Sequence, residues 1–350
     1  MPSTEEPLRL CVVDMHTAGE PVRIIEQGYP ELTGATILAR RRDARDRFDH
    51  LRRMTMLEPR GHAGMYGVIP TAPSLPGADL AVLFTHQEGY STMCGHATIA
   101  IGRWAVDSGR VAMADGRAAF GLETPCGLVA VEVDRDGGDA PLVSFVSVPS
   151  FASHLDRRIE VPGWGEVAYD IAFGGAYYAI LPASRLGLSL MDTPVARLVE
   201  AGVAITDAVR AAVPIAHPAE PDLGFLYGTI LTDDVALGAG DGRASYNLCI
   251  FAEGQIDRSP TGSGVTARFA LAAARGEIGP GDSCEIRGVS GEGFVGTLWA
   301  AEGEGGQRVS RVKVAGRAYY AGRTEFVAEP EDPFGHGFEL PARFRDLPAR

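Results

Sequence analysis

Met93-Cys94-Gly95-His96-Ala97-Thr98 is answered 167 residues later by Pro260-Thr261-Gly262-Ser263-Gly264-Val265. In each stretch a small residue with a nucleophile-type side chain, Cys94 or Thr261, is followed by Gly and a polar residue at the mouth of an apolar, alanine-rich run. The runs 97–108 and 265–275 lack Pro, and a glycine follows each anchor residue at the same distance: Gly109 lies fifteen residues after Cys94, and Gly276 fifteen after Thr261. Both runs read as buried helices closed by a C′ glycine. Cys94 and Thr261 then stand at two helix N-termini. The free N–H groups and positive dipole end there favour an anion, and they lower the pKa of a thiol placed beside them. A carboxylate held between the two termini would have Cys94 on one side and Thr261 on the other.

The composition fits such a duplicated body. In 350 residues with 45% apolar content the chain can bury two cores of ordinary size. Forty-four glycines and twenty-three prolines punctuate many short β-type runs, so the chain reads as strand-rich with few helices. A net charge of −13 without a basic stripe argues against nucleic acid as a partner. Five cysteines without a CxxC pair suit a reducing compartment. The start MPSTEEPLRL has neither the basic nor the apolar region of a secretory leader, and no run reaches the length of a membrane helix, so a cytoplasmic protein is expected.

Outward from the two anchors, 8–13 reads as a first strand, 14–21 as a polar loop carrying His16 and Glu20, and 35–49 as a charged helix. Residues 58–67, with His62, read as an irregular segment. A second series begins near 159, with strands at 167–171 and 176–181 around Gly174-Gly175, a helix at 194–213, and strands at 224–231 and 245–252. The domains drawn from this repeat are 1–157 with Cys94, 158–318 with Thr261, and a segment 319–350 whose return to the first half the sequence leaves open. A duplication of this kind places the site between its halves.

DMHTAGEPVR (14–23), EPRGHAGMYG (58–67), GYSTMCGHATIA (89–100), FGGAYYAI (173–180) and DRSPTGSGVTAR (257–268) together resemble the motif set of the proline racemase family, which includes 4-hydroxyproline epimerases and trans-3-hydroxy-L-proline dehydratases. The resemblance runs over nearly the whole chain. It implies an α/β (α+β) fold of two pseudo-symmetric diaminopimelate epimerase-like domains, each with strands wrapped around a central helix, and a cofactor-independent active site in the cleft without a metal. It suggests a monomer or homodimer acting on a small hydroxyproline-type substrate. Racemases of the family place a cysteine on each face of the substrate α-carbon. Here the first is Cys94 and the second position holds Thr261. Inversion needs an acid and a base on opposite faces, and a threonine hydroxyl is far too weak for a thiol's work near neutral pH. The Cys94/Thr261 pair is similar to that of the dehydratases, which remove the α-proton and expel the 3-hydroxyl. The resemblance further implies that Gly95, His96, Gly262 and Ser263 bind the carboxylate through backbone N–H groups, and that Asp257, with His96, contacts the ring nitrogen.

Other readings of the same residues are an epimerase or racemase with another group in the second thiol's role, and a binder of imino acids without turnover. Cys94 paired with a histidine as nucleophile and base, or a metal on His86, Cys94 and His96, leaves the Thr261 repeat idle. Phe173 and Tyr177 are candidates for an apolar wall.

Overall fold

The computed structural model describes residues 6–238, 242–304 and 307–339. The first five residues and the Pro-rich tail beyond residue 339 lie outside them.

Two hydrogen-bonded strand circuits are built to one plan. In the second half, Ser150–Val161 pairs antiparallel with Gly165–Phe173, which pairs antiparallel with Tyr177–Pro182, then parallel with Leu226–Thr232, antiparallel with Ser245–Phe251, parallel with Ser283–Arg287, and antiparallel through Gly293–Glu304 and Gln307–Gly316. The last strand pairs back onto Ser150–Val161 and closes the circuit. The first half repeats this alternation through Leu8–Thr17, Glu20–Gln27, Tyr66–Thr71, Leu80–His86, Arg117–Thr124, Gly127–Asp134 and Leu142–Val146. Its opening strand comes from elsewhere in the chain. Ala318–Ala328 pairs antiparallel with Leu8–Thr17, as Ser150–Val161 does with Gly165–Phe173, so the segment after 318 supplies the first half's opening strand, while its last strand, Leu142–Val146, pairs with Gln307–Gly316 of the second half. The sequence boundary at 157 falls inside Ser150–Val161, a strand that runs unbroken into the second circuit.

Each circuit wraps one helix. Besides α1 (Ile37–Met56), which packs outside against Tyr66–Thr71 and Leu80–His86, the first half contains α2 (Gly95–Asp107), set among the strands of its own circuit. In the second half α3 (Val195–Ala212) packs outside and α4 (Gly262–Arg275) inside. The mean position of α2 and α4 follows from composition: ten of the thirteen residues of α2 are buried, and Ala, Ile and Gly dominate it. Such a helix, apolar on all sides, is stable only where strands enclose it. None of the helices is long and apolar enough to cross a membrane among the described residues.

Two local readings are corrected. Residues 14–21 are not a loop: Leu8–Thr17 and Glu20–Gln27 form one hairpin with Thr17 opposite Glu20, and Ala18 and Gly19, both at positive φ, make its two-residue turn. The turn matches the right-handed twist of the strands, so the polar run is strand almost to its tip. The first helix runs to Met56 rather than 49. It starts where Thr36 caps the Ala39 N–H, deviates at Phe48, and continues because Leu51, Met54 and Met56 are buried.

Candidate active site

The N-termini of α2 and α4 meet head to head. A Cβ on Gly95 would lie 2.4 Å from Gly262 Cα, and one on Gly262 would lie 2.6 Å from Gly95 Cα. Only glycine permits this approach of two backbones. The first amides of each helix have no intrahelical acceptor, so the N–H groups of Gly95, His96, Gly262 and Ser263 collect at one seam with both dipoles positive there.

Cys94 is the N-cap of α2. Its Sγ accepts from the Ala97 N–H at 3.4 Å and lies 3.2 Å from His96 Nδ1. Thr261 precedes α4 at positive φ (63°), and its hydroxyl donates to Asp257 Oδ2 at 2.8 Å, while the other carboxylate oxygen accepts from the Ser259 N–H at 2.8 Å. All four side chains are nearly inaccessible: Cys94 is 5%, Thr261 6%, Asp257 6% and His96 3% exposed. The seven site residues expected from sequence, Cys94, Gly95, His96, Asp257, Thr261, Gly262 and Ser263, thus lie along one seam in a closed cleft.

Electrostatics depart from the expectation of a thiol eased towards neutrality. Burial pushes Cys94 well above the ordinary thiol value, and the negative charges of Asp257 and Glu20 push the same way; the Ala97 N–H and the Tyr66 hydroxyl oppose them. One helix N-terminus does not overcome full desolvation. His96 is held below the usual imidazole range, chiefly by burial, so its ring is neutral beside the thiol.

Contacts between the halves close the cleft. The Arg258 N–H donates to Glu20 Oε2 at 2.7 Å, and its guanidinium donates to the Gly64 carbonyl at 2.9 Å and approaches Glu20 at 3.3 Å. Ser290 donates to the Ala18 carbonyl at 2.7 Å, and Thr92 to the Gly175 carbonyl at 2.7 Å. Glu20 therefore belongs to the closure rather than to the seam. His62 is exposed and bonds its neighbour's carbonyl, and His16 stacks on Tyr319 at 5.4 Å.

The aromatic wall is not the one expected. Phe173 and Tyr177 cluster with Phe151 and His217. Tyr178, on the opposite face of the same strand, bonds Ser263 Oγ at 2.7 Å. It packs edge-on against Tyr227, which also meets His86, so one wall spans both halves. Tyr66 extends it on the Cys94 side, edge-on to His96 at 4.9 Å. Tyr66 and Tyr178 were missed because periodicity marks a residue as buried without saying what it faces. Strand alternation around the glycine turn could have favoured Tyr178 over Tyr177.

The family model described as proline racemase matches residues 12–339. The chain belongs to the proline racemase family. Within the family it is 45% identical to a protein named trans-L-3-hydroxyproline dehydratase from Xenopus tropicalis, over 97% of each chain. It is also 45% identical to the trans-3-hydroxy-L-proline dehydratase of Homo sapiens, over 95% of this chain and 94% of that one. Among solved structures, the hydroxyproline epimerase from Agrobacterium vitis with bound trans-4-OH-L-proline has a TM-score of 0.88 at 28% identity and 95% coverage of both chains. The two-circuit fold is that of the family.

Proposed function

We propose that this chain is a cytoplasmic lyase that dehydrates trans-3-hydroxy-L-proline, with Cys94 as its only acid/base thiol at the α-carbon. The observation that carries this reading is the asymmetry of the seam. At the α2 terminus stands a thiol; at the α4 terminus stands a hydroxyl whose hydrogen is already given to Asp257. The names of relatives 45% identical over nearly the whole chain point the same way.

The substrate carboxylate is held by the N–H groups of Gly95, His96, Gly262 and Ser263, whose bonds strengthen as charge moves onto it during α-proton removal. One donor in such a buried arrangement contributes roughly 2.7–4 kcal/mol of transition-state stabilisation. Asp257 faces the ring ammonium and keeps it charged, which acidifies the α-hydrogen. That same ammonium offsets the negative charges that raise the Cys94 thiol.

In trans-3-hydroxy-L-proline the hydroxyl lies opposite the carboxylate and hence on the ring face of the α-hydrogen. Both departing groups then point towards Cys94. The Cys94 thiolate takes the α-hydrogen, the Cα–H electron pair forms the Cα=Cβ bond, and the C–O bond breaks as its oxygen is protonated. Water and Δ2-pyrroline-2-carboxylate leave, and the latter tautomerises to Δ1-pyrroline-2-carboxylate.

Incubation with trans-3-hydroxy-L-proline, trans-4-hydroxy-L-proline and L-proline in D2O, followed by NMR, tests this. The expected result is conversion of the 3-hydroxy compound to a pyrroline carboxylate without inversion of the other two. Inversion of the 4-hydroxy compound at its α-carbon would reject the reading in favour of an epimerase.

A further inference from the structure

The elimination as written leaves one question to the tertiary structure: which group protonates the leaving hydroxyl. A single thiol would have to receive the α-proton and turn it to a neighbouring carbon's oxygen within a closed cleft. A second hydroxyl stands beside it. Tyr66 opens the strand Tyr66–Thr71 and lies opposite His86 in the ladder with Leu80–His86. Its ring is set edge-on to His96, whose Nδ1 is 3.2 Å from Cys94 Sγ, so the three side chains share one pocket. Its hydroxyl bonds Ser91 Oγ, on the short strand that leads into Cys94. Either hydroxyl can donate in that bond; when Ser91 does, the phenolic hydrogen is left for the cleft. Tyr66 and Ser91 are 4% and 1% exposed. Burial raises the phenol well above its ordinary value, which keeps it a neutral donor at any working pH, and its hydroxyl is near enough to the Cys94 thiol to lower the latter's pKa.

Tyr66, Ser91 and Cys94 all belong to the first half, whereas Thr261 and Asp257 belong to the second. A ring whose α-hydrogen faces Cys94 presents its 3-hydroxyl to that same half. Resting on the dehydratase reading, we propose that Tyr66 is a catalytic residue: its hydroxyl protonates the departing 3-hydroxyl and is reprotonated by the Cys94 thiol. The balance is complete within the site. Cys94 S⁻ gains the α-hydrogen, the Tyr66 O–H proton passes to the leaving oxygen as the C–O bond breaks, and the new S–H proton moves to the Tyr66 oxygen. Thiolate and phenol are restored, and the substrate has lost water.

A change of leaving group separates this role from mere support of Cys94. Fluoride departs with little protonation, hydroxide does not. In Tyr66→Phe, dehydration of trans-3-hydroxy-L-proline should fall on the order of 10²-fold or more, the usual effect of losing a general acid. Elimination of fluoride from trans-3-fluoro-L-proline by the same variant should fall far less, by no more than about tenfold, since there the variant loses only the hydrogen bond that eases the Cys94 thiol and not a proton donor. Ser91→Ala, which only frees the phenol, should show the same selectivity more weakly. Equal loss on both substrates, or no loss on either, overturns the assignment, because a misfolded site or a weakened thiolate slows both alike. An unmodified protein that eliminates fluoride but does not dehydrate the hydroxy compound would overturn the dehydratase reading and this step with it.

Discussion

Thr261 donates its hydroxyl hydrogen to Asp257 Oδ2 at 2.8 Å, four residues back along the chain. The bond turns the residue at the mouth of α4 into a fixed polar contact and ties it to the carboxylate that, in the proposed reaction, faces the ring ammonium. In that proposal the α4 terminus positions, and chemistry at the α-carbon is left to the α2 terminus.

If that division holds, Cys94→Ser should lower dehydration on the order of 10³-fold, within the range for losing a proton-transfer group. Thr261→Ala should cost only about tenfold, the scale of one hydrogen bond at about 1.4 kcal/mol. Thr261→Cys should bring slow inversion of L-proline, seen as D-proline by chiral chromatography. A Thr261→Ala variant as inactive as Cys94→Ser would mean that Thr261 does chemistry after all.

Gly95→Ala places a methyl group 2.4 Å from the Gly262 backbone. Two helix termini cannot meet across it, so the N–H groups that the proposal assigns to the carboxylate are pulled apart. Loss of at least about 10²-fold in kcat/KM is expected, comparable to removing one such donor, with the circular dichroism spectrum retained. Normal turnover would show that the seam opens during the reaction.

The proposed reaction uses Cys94 as thiolate, and burial raises its pKa. The active form is then the deprotonated one, its population grows with pH, and kcat/KM should climb along an alkaline limb beyond the ordinary thiol value of roughly 8.5. Alkylation of Cys94 by iodoacetamide in the substrate-free protein should follow the same limb. An alkylation rate already level at pH 7 would contradict the desolvated site.

Glu20 is fully buried, and burial together with the charge of Asp257 raises its pKa well above the usual value in spite of Arg258. The folded state therefore binds this proton more tightly than the unfolded chain. Its contribution to stability is greatest at low pH and declines as pH rises from the ordinary carboxylate range through the folded value. Glu20→Gln should remove that decline, so that Tm differs from the unmodified protein most at high pH and least near pH 4. Arg258→Met removes the guanidinium that opposes this rise and should destabilise by about 1–3 kcal/mol at pH 8, less than for a wholly buried pair because Arg258 is partly exposed. The double variant should recover most of the loss by thermal denaturation.

The two anchors, the helices behind them and the duplication are legible in the linear chain, because they rest on local physics. An alanine-rich run without Pro, closed by glycine, prefers the helix over other local structures, and 97–108 and 265–275 carry that pattern, which the enclosing strands then stabilise. The Cys94/Thr261 asymmetry is likewise a matter of residue identity. Where propensity met tertiary demand, local reading failed: 14–21 is polar and looks like a loop, yet strand pairing with Glu20–Gln27 and Ala318–Ala328 engages 14–17 on both sides.

How the termini meet and what surrounds the thiol are set by long-range packing. The contact of Gly95 with Gly262 depends on two circuits closing against each other through Glu20, Arg258 and Ser290, residues far apart in sequence. The same closure dehydrates Cys94, which reverses the pKa shift a helix terminus alone would give. It also selects Tyr66 and Tyr178 from among many buried aromatics, since a strand's alternation says which residues point inward but not which inward residue meets a partner from the other half. Desolvation and packing across a seam are properties of the closed pair of halves, and no local stretch of the chain encodes them alone.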